Sequence, residues 1–396
     1  MIPNIPEILH PERFTEVDLP REKLEFALSE ALKKIDKAID YFGPELFPCE
    51  SSRNNVYGRR NNDGGWGCGF WTGILWHAYE MTGDDKYKAR ALDHMPGFKK
   101  RIVEKLGVNH HDMGFCYTPS CVAAWKLVGD ETGKEAAVMA AEHLATRYHD
   151  LGKFIQAWGA VDNPEAYRLI IDCLLNIPLL YWAAEVTGEK KFDEMAYNHF
   201  NTTIEVCCRA DASTYHTYYF DPKTGDPVRG VTHQGAFDDS AWARGQAWGI
   251  YGPMLTYIYK KDERALTVFK ATTNYLLNHL PEDYIPYWDL SFGDGDGEPK
   301  DSSTAVIAMC GMLEAIKYMD ESDPLRKIYV GAIKRMMNVL IDNYISKDIP
   351  ESNGLLLHQV YAKPQGIGVD ELNIWGDYFY IEALHRLLDP EWKLYW

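Results

Sequence analysis

The fold is decided by an almost unbroken apolar run, Arg168-Leu-Ile-Ile-Asp-Cys-Leu-Leu-Asn-Ile-Pro-Leu-Leu-Tyr-Trp182, which holds one carboxylate, Asp172, and one amide, Asn176. A segment that is apolar on every side predicts a helix buried all round. Because Asp172 and Asn176 are four residues apart, they would share a face of that helix, and we expect this face to line a cavity. Burial raises the pKa of a carboxyl group, so Asp172 is a candidate general acid near neutral pH, with a purely structural Asp as the alternative.

Similar apolar segments recur along the chain roughly 50 to 70 residues apart, each followed by a turn and, in most cases, a more polar helical segment. The six segments are Trp71–Met81, Ala123–Val128, Leu174–Val186, Trp248–Tyr259, Thr304–Tyr318 and Trp375–Leu387. Each interval has room for one inward helix, one outward helix and a loop. A closed ring buries all the apolar segments, whereas an open solenoid would leave its end faces exposed. The pattern therefore predicts an all-α fold, a single (α/α)6 barrel over residues 1–396.

The remaining segments fit around this barrel. Residues 1–20 are acidic and interrupted by Pro, and we expect them to form an N-terminal surface arm. Apolar residues between Arg21 and Tyr41 have helical spacing, and Phe42-Gly43-Pro44 would end that helix. Strands are expected only in loops, where the alternation from Tyr215 to Val231 predicts a short β hairpin.

Charge and composition exclude several classes of protein. The formal net charge of −17 at pH 7 argues against nucleic acid or an anionic membrane as a partner, because phosphate binding needs clustered Lys and Arg. The eight cysteines contain no CxxC pair and are interpreted as reduced thiols. The N-terminal sequence has neither the basic nor the apolar region of a signal peptide, and no segment resembles a membrane span. We expect a cytoplasmic protein that is a monomer or a weak homodimer.

The chain is rich in aromatic residues, with 12 Trp and 25 Tyr. Most of them are expected in the core of a helical protein. Aromatic faces also stack on the apolar faces of sugar rings, so some of them are candidates for a carbohydrate site.

Polar and aromatic residues are concentrated in the loops that precede inner helices or the hairpin. These loops are Asn109–Tyr117, Ile155–Gly159, Thr214–His216, Thr232–Gly235 and Ser240–Gly249. Because each leads into an inner element, all of them would face the same mouth of the barrel. The first of them would lead into a helix capped by Thr118, with Pro119 at its first position.

Several kinds of chemistry lack their sequence signals. His110 and His111 are adjacent, point to different sides of an extended chain, and have no second closely spaced ligand pair, so no metal site is predicted. The chain shows no nucleophile elbow and no phosphate-binding glycine loop, and no cofactor is expected. What remains is a pair of carboxylates, Asp112 and Asp172, among Trp, His, Gln and Arg residues, for which sugar chemistry is the natural assignment.

At these residues the chain resembles the unsaturated glucuronyl hydrolases, glycoside hydrolase family 88, over nearly its whole length. The resemblance is carried by Gly-Phe-Trp-Thr-Gly73, His-His-Asp112, Gln-Ala-Trp-Gly159, Ile-Ile-Asp-Cys-Leu-Leu-Asn176, His216-Thr-Tyr-Tyr-Phe-Asp-Pro, Arg-Gly-Gln-Ala-Trp-Gly249, Tyr287-Trp-Asp and Asn373-Ile-Trp-Gly-Asp377. It implies the same barrel and action on the unsaturated disaccharides that polysaccharide lyases release.

The chemistry implied by this resemblance is hydration of a C4=C5 vinyl ether. Asp172 would donate a proton to C4 and then help to deprotonate the water that attacks C5, and the hemiketal would open and expel the neighbouring sugar. Asp112 would hold the substrate and water and help to keep Asp172 protonated. The residues implied to line the pocket are Trp66, His111, Trp158, His216, His233, Gln234, Trp242, Arg244 and Trp248, with Arg244 as the cation nearest the uronate.

Two sequence departures bear on substrate preference. The loop Asp63–Gly69 is richer in Gly than the family pattern, which would widen one pocket wall, and Asn109 is unusual before His-His-Asp112. Family members that accept sulfated disaccharides resemble one another in having Arg at the position of His233 and Ser-x-x-Ser-x-Lys at Ala362–Ile367. Because this chain lacks those donors and keeps only Lys363 nearby, unsulfated substrates are expected to be preferred.

Other functions remain open at this point. An unsaturated rhamnogalacturonyl hydrolase would share the barrel and act on pectin fragments. A sugar 2-epimerase would need His acid and base residues in place of the Asp pair. An oligosaccharide-binding barrel is disfavoured, because burying a titratable Asp172 costs stability without a chemical purpose.

Overall fold

In the computed structural model, which describes residues 2–15 and 17–396, buried apolar helices alternate with amphipathic ones. In chain order the helices are α1 (Arg21–Phe42), α2 (Cys68–Thr82), α3 (Asp85–Asp93), α4 (Met95–Val103), α5 (Met113–Tyr117), α6 (Ala123–Val128), α7 (Glu131–Ala145), α8 (Pro178–Thr187), α9 (Lys190–Cys207), α10 (Ala243–Lys260), α11 (Glu263–Asn278), α12 (Ser302–Ala315), α13 (Pro324–Asn343) and α14 (Ile374–Leu388). A π-helical turn joins α5 to α6.

Among the described residues, the inner ring consists of α2, α5 with α6, α8 with the turn before it, α10, α12 and α14. Helix α12 is buried over its whole length, and α10 and α14 are buried over most of theirs. Each inner segment contacts the next, and α14 returns to contact α2, which closes the ring. The other helices bury only a stripe of apolar side chains against this ring. The prediction of an (α/α)6 barrel is confirmed.

The turns from inner helices to their outer neighbours share one local structure. Helix α2 ends at Gly83 and α6 ends at Gly129, each with a φ of 69°, a backbone conformation that favours glycine. The residue that follows, Asp84 or Asp130, accepts a hydrogen bond from a backbone N–H at the start of the next helix. The Gly-Asp pairs of the sequence thus end inner helices and begin outer ones.

The apolar run at Arg168–Trp182 is not one helix, so that prediction was wrong. Residues Arg168–Ile170 form a strand, Ile171–Leu175 form a 3-10 turn, and α8 begins only at Pro178. Proline lacks a backbone N–H and suits the first turn of a helix but not its interior. A continuous apolar run fits a buried strand as well as a buried helix, so periodicity could not separate them. Asn176 is fully buried and does not line a cavity beside Asp172.

The helix start predicted at Thr118 is also wrong. The helix begins five residues earlier, at Met113, and Thr118 lies inside it, in the π-helical turn. Pro119 cannot donate the hydrogen bond that a regular helix requires, and the ladder widens into a π turn at this point. As a result Asp112, and not Thr118, is the residue that precedes the helix.

The strands are short and lie in the loops, as expected. They are β1 (Phe47–Pro48), β2 (Arg59–Arg60), β3 (Tyr148–His149), β4 (Phe154–Ile155), β5 (Arg168–Ile170), β6 (Thr217–Phe220), β7 (Pro227–Val231), β8 (Gln359–Ala362) and β9 (Ile367–Glu371). Strands β6 and β7 are the predicted hairpin, and β5 adds a third antiparallel strand beside β6, with Arg168 opposite Tyr219. This small sheet holds the turn that carries Asp172.

The N-terminal segment lies against outer helices. Leu9 N–H donates to Asn278 of α11, and the Asp18 carbonyl accepts from Asn338 of α13. Phe14 is buried. Residues 1 and 16 of the predicted arm lie outside the described residues. No helix in the described part of the chain combines the length and apolarity that crossing a bilayer requires.

Candidate active site

Asp172 follows β5 directly, in the 3-10 turn Ile171–Leu175. The turn is held in place because Ile171 N–H donates to the His216 carbonyl, with an N···O distance of 3.0 Å. Ile171 and Cys173 are wholly buried, whereas Asp172 keeps partial contact with solvent. In the described structure Asp172 Oδ1 has no hydrogen-bond partner. The hydrogen-bonding capacity of this buried oxygen is therefore not used by the protein itself.

The pKa of Asp172 is raised to about 6. Burial is the main cause, since an ionised carboxylate loses its hydration, and the negative charge of Asp112 raises the pKa further. The positive charges of His111 and Arg244 act in the opposite direction. A carboxyl group with this pKa exchanges its proton readily near neutral pH, as a general acid that later serves as a base must do.

Asp112 precedes α5, and its carboxylate faces two imidazoles. Oδ2 lies 3.0 Å from His110 Nδ1, and Oδ1 lies 3.3 Å from His111 Nε2. Burial alone would raise the pKa of Asp112, but the charge of His111 and the hydrogen bonds from both imidazoles outweigh burial and hold the pKa well below its usual range. Burial would likewise lower the pKa of His111, but Asp112 raises it to about 10. Asp112 is therefore ionised and His111 is protonated.

Arg244 is buried at the start of α10, and its charge is already partly balanced. Nη1 lies 3.3 Å from the carboxylate of Asp301. Nη2 donates to Gln234 Oε1 at 2.9 Å and to the Tyr361 carbonyl at 2.7 Å. The guanidinium also lies over the ring of Trp242, 4.4 Å from its centroid. These contacts fix the group rigidly, so Arg244 supplies a positive charge at a set position.

Trp158 stands at the mouth and is 39% exposed, unusually high for a Trp. Its indole packs edge-to-face on His233, with ring centroids 5.4 Å apart. On another side the guanidinium of Arg168 lies 4.4 Å from the Trp158 ring centroid. An isolated antiparallel bridge between His110 and Trp158 joins this loop to the one that carries Asp112. The structure thus brings two separately predicted loops together.

The His216 and His233 rings form a second part of the site, beside Trp242. The backbone N–H of His233 donates to His216 Nδ1 at 2.9 Å, and the His216 ring lies edge-on to Trp242. Burial, followed by the charges of His233 and Arg244, holds the pKa of His216 well below its usual value. Burial and the charge of Arg168 lower the pKa of His233. Both imidazoles are therefore neutral donors or acceptors at pH 7.

The remaining predicted residues occupy different depths. Trp66 stacks on Trp375 with ring centroids 4.7 Å apart, and its Nε1 donates to the Tyr361 hydroxyl at 2.9 Å. Trp248 is fully buried against Phe115, behind the accessible surface. Trp66 therefore forms part of the wall of the site, whereas Trp248 packs behind that wall.

Several buried polar atoms of these residues lack a hydrogen-bond partner within the described structure. They are His111 Nδ1, Arg168 Nε, Asp172 Oδ1, His233 Nε2 and Trp248 Nε1. Native proteins leave few such atoms unpaired. Hydroxyl and carboxylate groups of a ligand would supply partners for those atoms that border the site, but not for Trp248 Nε1, which lies behind the wall.

The residues that the structure describes contain no group of three His, Cys, Asp or Glu side chains arranged to hold a metal ion. His110 Nδ1 and His111 Nε2 both lie against the Asp112 carboxylate, at 3.0 Å and 3.3 Å.

Sequence reasoning missed three supporting residues. Arg168 stacks on Trp158, and Asp301 pairs with Arg244. Arg147 is buried and ties two site loops together, because its guanidinium donates to Asn109 Oδ1 at 2.7 Å and to the Gly159 carbonyl at 2.9 Å. Asp301 could have been found from the sequence as a helix N-cap, because an Asp directly precedes the apolar segment that begins with Ser-Ser-Thr. Arg147 and Arg168 contact residues in other segments of the chain, and no local sequence pattern marks those contacts.

Comparison with known proteins shows the family of this chain. The model of Glycosyl Hydrolase Family 88 matches residues 48–385. The chain is 50% identical over 390 residues to an unsaturated chondroitin disaccharide hydrolase of Streptococcus pyogenes serotype M1, an alignment that covers 98% of this chain and 97% of the relative. The protein is a glycoside hydrolase. It belongs to glycoside hydrolase family 88, which includes the unsaturated glucuronyl hydrolases.

Solved structures show the same fold. A crystal structure of unsaturated glucuronyl hydrolase from Streptococcus agalactiae matches with a TM-score of 0.97 and 46% identity, covering 100% of this chain and 99% of that one. A mutant of the same enzyme complexed with dGlcA-GalNAc6S matches with a TM-score of 0.90 and 44% identity, with the same coverage.

Proposed function

We propose that this enzyme releases the unsaturated 4-deoxy-hex-4-enuronate residue from lyase-generated glycosaminoglycan-type disaccharides. The observation that carries the proposal is the contrast between two carboxyl groups at one mouth. The pKa of Asp172 is raised to about 6, whereas that of Asp112 is held well below its usual range. One group is therefore suited to give a proton while its neighbour stays ionised. The disaccharide in the S. agalactiae complex supports this substrate class.

The proposed reaction is hydration of the C4=C5 double bond. Asp172 gives its proton to C4, which leaves positive charge shared between C5 and the ring oxygen. Water adds to C5, and the Asp172 carboxylate accepts a proton from that water, so the enzyme regains its starting state. The hydroxyl now on C5 makes a hemiketal, which opens to a ketone, and the hemiacetal so exposed at C1 expels the neighbouring sugar.

The other side chains would bind and orient this substrate. Asp112, with His111 protonated beside it, would hold the reacting water and keep a negative charge near Asp172. Arg244 would hold the uronate carboxylate from its fixed position, with Gln234 bonded to it. The aromatic and imidazole side chains would stack on or hydrogen-bond the two sugar rings. They are Trp66, Trp158, His216, His233, Trp242 and, from behind the wall, Trp248.

We also propose that unsulfated disaccharides are preferred. His233, with its lowered pKa, is neutral at pH 7 and holds a sulfate less strongly than an Arg. Lys363, the cation that the sequence leaves nearby, is engaged with Glu298 at 3.3 Å. Ile367 is 49% exposed and offers no hydrogen bond. Arg168 is a cation on the Trp158 side, where its guanidinium lies over the rings of Trp158 and Tyr219.

The decisive assay is the loss of ultraviolet absorbance from the conjugated alkene carboxylate. Purified enzyme would be given lyase products of chondroitin, hyaluronan, heparin and rhamnogalacturonan. Turnover of the glycosaminoglycan disaccharides is expected. Turnover confined to the pectin fragment would replace the proposal by an unsaturated rhamnogalacturonyl hydrolase, and binding without turnover would replace it by a sugar-binding protein. Cytoplasmic location and a monomeric or weakly dimeric state are further proposals, tested by cell fractionation and sedimentation.

A further inference from the structure

Asp112 is in the position of a helix N-cap but does not cap its helix. A capping Asp accepts a hydrogen bond from a backbone N–H of the first turn. The Asp112 carboxylate makes no such bond, because both of its oxygens face His110 and His111. The first-turn donors of α5 therefore need another acceptor if they are not to remain unpaired.

That acceptor comes from another segment of the chain. Phe115 N–H, in the first turn of α5, donates to Asn176 Oδ1 at 2.8 Å. The amide nitrogen of the same side chain, Asn176 Nδ2, donates to the backbone carbonyl of Asp172 at 3.3 Å. Asn176 is 0% exposed, so these bonds are protected from competition by water. One side chain thus connects the helix that begins after Asp112 to the backbone of Asp172.

The contact between these segments is close enough to define their separation. A Cβ atom added to Gly114 would lie 2.3 Å from Asn176 Cα and 2.6 Å from its carbonyl oxygen. Only glycine allows this approach, because any side chain would push the two backbones apart. The start of α5 and the turn after Asp172 are therefore held together both by hydrogen bonds and by direct backbone packing.

We infer that Asn176 is a positioning residue for the reaction: it caps α5 in place of Asp112, which leaves the Asp112 carboxylate to the imidazoles, and it fixes the Asp172 backbone relative to that carboxylate. The inference rests on the proposed roles of Asp172 and Asp112. Without Asn176, the Phe115 N–H, at the third helical position after Asp112, is a donor of the kind that an N-cap Asp side chain usually bonds. Asp112 would then turn toward the helix and away from His110 and His111.

The test is a double-mutant cycle between Asn176→Ala and Asp112→Asn, with steady-state kcat and KM measured from the loss of alkene absorbance. We expect Asn176→Ala to lower kcat by about ten- to a hundredfold, as misplacement of a catalytic group does, while KM changes by less than about threefold. In the Asp112→Asn background the same change should lower kcat by less than about threefold, because residues that act through one another are not additive. Equal losses in both backgrounds, or a rise in KM alone, would overturn the inference.

Asn274 provides a matched control. It is a buried Asn in the outer helix α11, where it donates to the Pro6 carbonyl at 2.7 Å and accepts from the Tyr329 hydroxyl at 2.7 Å. Asn274→Ala removes a comparable pair of hydrogen bonds, to Pro6 and Tyr329, which are not among the residues assigned to the site. It should lower the free energy of unfolding and leave kcat per folded molecule unchanged. A similar loss of kcat in this variant would show that Asn176 acts only through stability.

Asn176→Asp keeps the inference testable if Asn176→Ala does not fold. The new side chain has the same shape and retains an acceptor for Phe115 N–H, but it loses the donor to the Asp172 carbonyl, so a partial loss of kcat is expected. Its kcat should exceed that of the shorter Asn176→Ser, which cannot reach Phe115, and the reverse order would overturn the capping role. Failure of the proposed function is distinguishable, because it would appear as full activity in Asp172→Asn or as no activity in the parent enzyme.

Discussion

Arg244 and Asp301 form an ion pair, with 3.3 Å between Nη1 and Oδ2, in which the side chains are 1% and 0% exposed. Asp301 also caps α12, since its carboxylate accepts from Ser303 N–H. One carboxylate therefore both begins an inner helix and balances the cation assigned to the uronate.

This pair predicts that Asp301→Asn is strongly destabilising. The substitution leaves the buried charge of Arg244 without its counter-charge, which typically costs about 3–5 kcal/mol. Urea unfolding would measure the loss, and kcat/KM should also fall because Arg244 loses its fixed position. The exposed pair of Lys23 and Asp342 is the control, since Asp342→Asn should change stability by less than about 1 kcal/mol. Similar losses of unfolding free energy in the two variants would show that burial does not make the Arg244–Asp301 pair more important for stability.

Asp172→Asn is expected to give a folded barrel with kcat lower by about two to four orders of magnitude, the scale of general acid or base loss. The measurement is absorbance loss alongside circular dichroism. Asp377 is the control, a buried Asp with no assigned role in the proposed proton transfer, whose carboxylate accepts from the Leu355 and Leu356 N–H groups. Asp377→Asn should lower stability and preserve kcat per folded molecule. If Asp172→Asn retains more than about a tenth of the parent rate, Asp172 is not the proton donor.

The rate should fall as the pH rises through the pKa of Asp172. The proton donor must be protonated, and its pKa is raised to about 6, so kcat/KM should be highest below that pH and decline above it. The pKa of Asp112 is held well below its usual range, so Asp112 stays ionised and should not limit activity at mildly acidic pH. A pH series of kcat/KM in buffers of constant ionic strength tests this. A rate that rises steadily from pH 5 to pH 8 would contradict an Asp proton donor.

Activity should be insensitive to chelators and to added divalent ions. The expected reaction uses side-chain acid and base groups alone, and His110 and His111 are engaged by Asp112. Rates before and after dialysis against EDTA would be compared. Loss of activity with EDTA that zinc or calcium restores would assign these three residues to a metal site.

Unsulfated chondroitin disaccharide should have a higher kcat/KM than its 6-sulfated form, by roughly ten- to a hundredfold for the lost charged hydrogen bonds. His233→Arg should narrow this difference, because it restores a charged donor where His233 is neutral. A preference for the 6-sulfated substrate that disappears in Arg168→Gln would place the sulfate on Arg168 and overturn the prediction. A preference that disappears in Lys363→Gln would place it on Lys363.

The barrel itself was readable from the sequence. Apolar segments long enough for inner helices recur with Gly-Asp turns between them, and both features act locally: Gly83 and Gly129 adopt positive φ, and Asp84 and Asp130 cap the next helix. Asp172 was conspicuous for a similar reason, since a single carboxyl group in an apolar run is costly unless it has a use.

Tertiary structure decided what that run becomes and what surrounds it. Strand β6 pairs with Arg168–Ile170 and turns a predicted helix into a strand, because hydrogen bonds from a distant segment outweigh local preference. The capping of Phe115 by Asn176 and the pairing of Arg244 with Asp301 join residues that are 61 and 57 positions apart. Such contacts depend on how the ring of helices closes, and no local pattern encodes them. The sequence by itself therefore determined the helices and the carboxyl groups, whereas packing decided their partners and their protonation.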